Sequence, residues 1–139
     1  MDRLFLDANS LVSAALKPES RLAGLWRLED VHLLGSPHVV AEARRNVPEP
    51  AATARLEALI DAITVLPSEP ADFEIPDDPG LPAKDRPVLL AAIASGADLL
   101  LTGDMSHFGE CLGREAGGVR VLLPGEYLRS RSSRRGPAG

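Results

Sequence analysis

Apolar and polar positions fall in short blocks along this chain, and each block has a readable period. Leu4-Phe5-Leu6 is an apolar run that stops at Asp7 and Asn9, as a buried strand does on meeting a loop. Leu11, Val12, Ala15 and Leu16 then follow helical spacing as far as Pro18. A second helix is predicted from Ser20, a cap-forming residue, with Leu22, Leu25 and Trp26 on one face. Val31 to Leu34 reads as a strand. Ser36-Pro37 combines a capping hydroxyl with proline at the first helical position, and Val39, Val40, Ala43 and Val47 supply a buried stripe that ends at Pro48. Ala52, Leu56, Leu59, Ile60 and Ile63 mark the clearest amphipathic helix, followed by the strand-like Thr64-Val65-Leu66.

Between Pro67 and Pro82 the period is lost in a run rich in proline and acidic residues, which predicts a surface loop. Asp85 to Ala94 resumes as a helix apolar nearly all round, so it should be well buried. Gly96 closes it. Leu99-Leu100-Leu101 is a strand, Thr102-Gly103-Asp104 a turn, and Val119 to Leu123 the last strand, before a short helix near Glu126 to Leu128. Short, continuously apolar strands separated by helices indicate an α/β fold whose parallel sheet, of about five strands, is covered on both faces. In such sheets a site forms beyond the C-terminal strand ends, where the strand order reverses. Asp7 and Asp104 both stand at such ends.

With 139 residues, 45% of them hydrophobic, the chain suits one domain, expected over residues 1–128 with a disordered Arg/Ser-rich tail over 129–139. The single cysteine, Cys111, cannot form an internal disulfide, and without an apolar leader the expected location is the cytoplasm. The longest purely apolar stretch, Val88 to Ala94, is far shorter than the roughly twenty residues of a membrane span. The net charge of −5 hides an asymmetry: Arg129, Arg131, Arg134 and Arg135 lie in the tail, so residues 1–128 hold 11 bases against 20 acids. A body that acidic is no broad phosphate-binding surface. Its carboxylates need another explanation.

Four of them carry the candidate chemistry: Asp7, Glu42, Asp85 and Asp104. Each has an ordinary structural reading. Asp7 and Asp85 are placed to cap helices, Glu42 to face solvent, and Asp104 to form a turn. Taken together, two strand-end acids and two from helices that the sheet would pack beside those ends make an oxygen-only cluster suited to Mg²⁺ or Mn²⁺. Clustered carboxylates stay ionised together only if a cation neutralises them. Such a cation acidifies a bound water and stabilises charge on a phosphodiester under attack. Asn9 and Thr102 would position the water or orient a carboxylate.

Three blocks carry a family resemblance: Leu4-Phe5-Leu6-Asp7-Ala8-Asn9-Ser10-Leu11-Val12, Ser36-Pro37-His38-Val39-Val40-Ala41-Glu42, and Lys84-Asp85-Arg86-Pro87-Val88-Leu89 running on to Gly96-Ala97-Asp98-Leu99-Leu100-Leu101-Thr102-Gly103-Asp104. In order, spacing and context they resemble PIN domains. The resemblance implies a three-layer α/β/α nuclease using Mg²⁺ or Mn²⁺, with Asp7, Glu42, Asp85 and Asp104 as its acids. It also implies an RNA substrate cut to a 5′ phosphate and a 3′ hydroxyl, and many bacterial members are toxins paired with an antitoxin. Many relatives carry a further acid shortly after the last aspartate, where this chain has Ser106-His107-Phe108. That departure leaves one metal or two open, with Ser106 and His107 as supporting residues. His32 and His38 match no motif and are assigned nothing.

The expected function is therefore a metal-dependent endoribonuclease, the alternative a non-catalytic PIN-like module that binds nucleic acid or protein. A cognate antitoxin would place a basic side chain in the acidic pocket. The resemblance further implies a homodimer, which would gather Arg44, Arg45 and Arg114 around a shared groove. The arginine tail would tether RNA. No glycine-rich phosphate loop, Ser or Cys nucleophile motif, or metal-spaced Cys and His set is present.

Overall fold

The computed structural model describes residues 1–103 and 108–135. Its strands are β1 (Asp2–Leu6), β2 (Val31–Gly35), β3 (Thr64–Val65), β4 (Leu99–Leu101), β5 (Glu115–Ala116) and β6 (Val119–Leu122), in one sheet of order β3-β2-β1-β4-β6-β5. Neighbours pair in parallel except β5, which runs antiparallel to β6. The flanking helices are α1 (Ala8–Leu16), α2 (Pro37–Arg45), α3 (Pro50–Asp61), α4 (Arg86–Ala94) and α5 (Pro124–Arg135). The mixed α/β class with a mostly parallel central sheet is as expected.

Leu4, Phe5 and Leu6 are all fully buried although successive side chains point to opposite faces of a strand, so both faces of β1 are covered. Leu100 and Leu101 of β4 repeat this. Along α4, Val88, Leu89, Leu90, Ala91 and Ala92 are buried in succession, which bears out the helix expected to be apolar all round. Strand order reverses between β1 and β4. The residues that follow those two strands, Asp7 and Thr102-Gly103, therefore flank the switch point.

Three expectations need correction. The sheet has six strands rather than about five, because Gly117-Gly118 folds Glu115-Ala116 back onto β6. Both glycines have positive φ, +58° and +84°, and Ala116 pairs with Val119 across them, the signature of a two-residue primed hairpin. The element expected from Ser20 is a 3₁₀ helix, Leu22–Arg27, in which the Ser20 hydroxyl still accepts from the Ala23 N–H at 3.3 Å.

The third correction concerns the tail. The last helix runs on to Arg135, and the reason is polar rather than apolar. Tyr127 is 1% exposed and donates its hydroxyl to Asp2 Oδ2 at 2.6 Å. One turn later the Arg131 guanidinium lies 5.8 Å from the Tyr127 ring centre and donates to Asp30 Oδ1 at 2.6 Å. Aromatic stacking and a charge-assisted bond dock a turn that hydrophobic content alone would leave free. Residues 136–139 lie outside the described residues.

The proline-rich loop between β3 and α4 is held down at one residue. Arg86, on the first turn of α4, donates to Asp72 at 3.0 Å, to Asp78 at 2.9 Å and to the Phe73 carbonyl at 2.7 Å. Ile75 buries itself in the core between these ties.

Candidate functional site

Asp7 takes its position from the corner where β1 becomes α1. Its backbone is extended, its N–H donates to the Leu101 carbonyl at 3.1 Å, and its own carbonyl accepts from Ser10 N at 3.0 Å as the helix begins. One carboxylate oxygen accepts from Ala8 N at 2.7 Å, so Asp7 is the helix cap that its place suggested. The other oxygen accepts from the Thr102 hydroxyl, also at 2.7 Å. Thr102 is fully buried behind it and Asp7 itself is 6% exposed. Two short bonds from neutral donors fix the carboxylate while leaving its charge in place. Asn9 closes the corner by accepting from Gly103 N at 3.3 Å, and Ser10 Oγ donates to the Leu101 carbonyl. Thr102 and Asn9 thus tie the end of β1 to the end of β4.

Glu42 lies half-buried on α2. That helix starts where the sequence placed it, with Ser36 Oγ accepting from Val39 N and proline in the first turn. Asp85 stands at the mouth of α4 with a helical backbone, and its side chain makes no capping bond to the helix. The structural reading of Asp85 as a side-chain cap therefore fails. It is 8% exposed, yet aimed into the space it shares with Asp7 and Glu42.

These three acids line one open cleft of about 310 Å³. Val12 and Val88 form its apolar floor, and Asn9, Asn46, His38 and Lys84 complete its polar wall. Asp104, Ser106 and His107 lie outside the described residues. Among the described residues no three acids, histidines or cysteines are already gathered closely enough to hold a metal ion. The three acids nonetheless offer the carboxylate oxygens that a hard divalent cation takes.

The chain also matches the model of the PIN domain over residues 3–106. The chain belongs to the PIN-domain family. Of solved structures, a chain from VapBC2 of Rickettsia felis, bound to a DNA fragment from their promoter, superposes with a TM-score of 0.62 at 14% identity, over 87% of this chain and 98% of that one. Among curated proteins no match is found. At that identity the structural likeness speaks for the PIN fold, whose sheet and flanking helices are those described above.

Two cleft residues of this PIN domain were missed. His38 lies one helical turn before Glu42, its Nε2 4.0 Å from Glu42 Oε2, and the i to i+4 spacing on α2 was the available signal. Lys84, next to Asp85 in sequence, brings an ammonium to the rim. Arg44 forms a two-pronged pair with Glu57 at 2.7 and 2.9 Å on the surface. Arg131, expected in a tether, is buried against Tyr127 and Asp30.

Proposed function

We propose that this protein is a metal-dependent endoribonuclease that hydrolyses RNA phosphodiesters with water, in the cytoplasm, as the toxin of a toxin–antitoxin pair. The observation that carries the reading is the convergence of Asp7, Glu42 and Asp85 on one cleft at the switch point of a PIN-domain sheet. Asp104, which follows β4 as Asp7 follows β1, is the fourth acid of the set. These residues would hold Mg²⁺ or Mn²⁺, which when bound supplies an acidified water and stabilises charge on the phosphate.

The chain's own groups do the rest. Asp7, locked by Ala8 and Thr102, offers a carboxylate of fixed direction, so little reorganisation is needed when the site fills. Glu42 and Asp85 supply the remaining negative wall, which excludes a bare phosphate and makes binding conditional on the cation. Lys84 meets a non-bridging phosphate oxygen at the rim and orients the strand. Water adds to phosphorus and the bond to the 3′ oxygen breaks, leaving a 5′ phosphate and, once that oxygen takes a proton, a 3′ hydroxyl. The neighbour named VapBC2 supports a cognate antitoxin as partner, and a basic side chain entering the acidic cleft would silence it. A homodimer remains part of the proposal, with Arg44, Arg45 and Arg114 at its groove.

Unstructured RNA incubated with the purified protein in Mg²⁺ or Mn²⁺ should be cut, and EDTA should stop the cutting. The Asp7→Asn plus Asp104→Asn variant should lose more than about 100-fold of the rate, since weaker outer contacts alone are worth 10- to 100-fold. Cutting that survives either treatment overturns the proposal. A folded protein that binds RNA and never cuts it would be the non-catalytic module instead.

A further inference from the structure

Beyond the cleft's far wall the surface dips again into a hollow of about 430 Å³, lined by His38, Glu69, Pro70, Ala83, Pro87 and Leu90. His38 belongs to both spaces. One stretch of chain at the mouth of α4 divides them: Lys84, Asp85 and Val88 face the acidic cleft, while Ala83, Arg86 and Pro87 face the hollow. The two openings thus adjoin at His38 and at the mouth of α4.

The chemistry of the hollow differs from that of the cleft. Its lining includes two prolines, a leucine and an alanine beside Glu69, Asp72 and Arg86, with an imidazole at the junction. Its volume lies in the range that small organic groups fill. Arg86 is committed to Asp72, Asp78 and the Phe73 carbonyl, so the hollow offers no free guanidinium to a second phosphate. Glu69 uses one oxygen to accept from His38 N at 2.9 Å, at the start of α2, and keeps the other as an acceptor. Apolar lining, one imidazole and the Glu69 carboxylate, with the second carboxylate of the lining, Asp72, paired to Arg86, match the needs of an unstacked base: a surface to pack on and a partner for its edge.

We propose that this hollow is a nucleobase subsite, which takes the base beside the phosphate held in the cleft and selects bases bearing an exocyclic amino group. The inference rests on the RNA-cleavage reading above and names its substrate preference. Cytosine, adenine and guanine each present N–H donors to a carboxylate. Uracil presents carbonyl oxygens beside its lone N–H, and these repel Glu69.

The test is binding of labelled A, C and U hexanucleotides to the full chain at low salt in Ca²⁺, a hard cation that carboxylate oxygens bind, read by fluorescence anisotropy, with cleavage-site mapping in Mg²⁺ alongside. The A and C oligomers should bind at least about fivefold more tightly than the U oligomer. Glu69→Gln keeps an oxygen for the His38 N–H but adds a donor, and should bring the three affinities within about twofold of one another. Ala83→Trp, at an exposed position, fills the hollow and should weaken all three by about tenfold. Circular dichroism confirms that each variant is folded. Equal affinity for U and C, failure to bind any of the three, or variants that behave as wild type would overturn the subsite. The two readings separate cleanly. Base preference in Ca²⁺ without cleavage in Mg²⁺ sinks the nuclease and keeps the subsite, whereas cleavage with a preference unmoved by both variants does the reverse.

Discussion

The two ends of this sheet use the same residue types to opposite purpose. At the end where the strands begin, acids meet donors one by one. Asp2 takes the Tyr127 hydroxyl, Asp30 the Arg131 guanidinium, and Asp98 the Arg3 N–H at 2.8 Å. Arg3 itself reaches the Ser95 and Gly96 carbonyls and the His32 ring. At the end where the strands stop, Asp7 is held by an amide and a hydroxyl, and Glu42 and Asp85 face the same space. Matched charge at one end ties the chain together. Massed charge at the other is costly for a fold and useful only for a cation. Part of the acid excess in residues 1–128 thus accumulates at one place, while the rest lies on the surface.

That contrast can be broken at the cleft first. Thr102→Val removes the hydroxyl that fixes Asp7 without changing the volume of the side chain. It should lower RNA cleavage, or Mn²⁺ affinity measured directly, by about 10- to 100-fold. A variant that loses stability but keeps its metal affinity would show Thr102 to be structural only.

At the opposite end the same kind of change should act on stability alone. Arg131→Ala removes the guanidinium from Asp30 and uncovers Tyr127, and should cost about 1–3 kcal/mol in denaturant unfolding while leaving the cleft's metal affinity intact. The smallest effect concerns pH. Burial, and then the bond to Asp2, push the Tyr127 hydroxyl up from 10.0 to about 12. A raised folded value means that its contribution is fully present below pH 10 and is lost as pH rises through about 12. Ultraviolet titration of tyrosinate should therefore show the single tyrosine ionising near that upper value, and an ordinary midpoint would mean that α5 is not docked as described.

The elements that the sequence made legible are those driven by apolar burial. Leu4-Phe5-Leu6, Leu99-Leu100-Leu101 and the run from Val88 to Ala92 could be read because nothing but a covered strand or buried helix tolerates them in water. The elements that were missed depend on other physics. The Gly117-Gly118 hairpin is set by backbone conformation, and the dipeptide was its only signal. The docking of α5 is set by Tyr127, Arg131 and two distant acids, which no local pattern reveals. Of the candidate site, Asp7, Glu42 and Asp85 were legible through motif context, and the structure brings them to one cleft. His38 was not, because a histidine on a helix flank has no meaning until the neighbouring helix mouth is placed beside it. Its spacing from Glu42 hinted at a shared face but not at what that face would meet.

The account turns on whether the massed acids hold a cation, and calorimetric titration with Mn²⁺ tests this most directly. Wild type and Asp30→Asn should bind Mn²⁺ with the same affinity, while Asp85→Asn, equal in shape but uncharged, should bind at least about tenfold more weakly. Wild-type protein that takes up no Mn²⁺ at millimolar concentration, or an Asp85→Asn variant that binds it as tightly as wild type, would contradict the account.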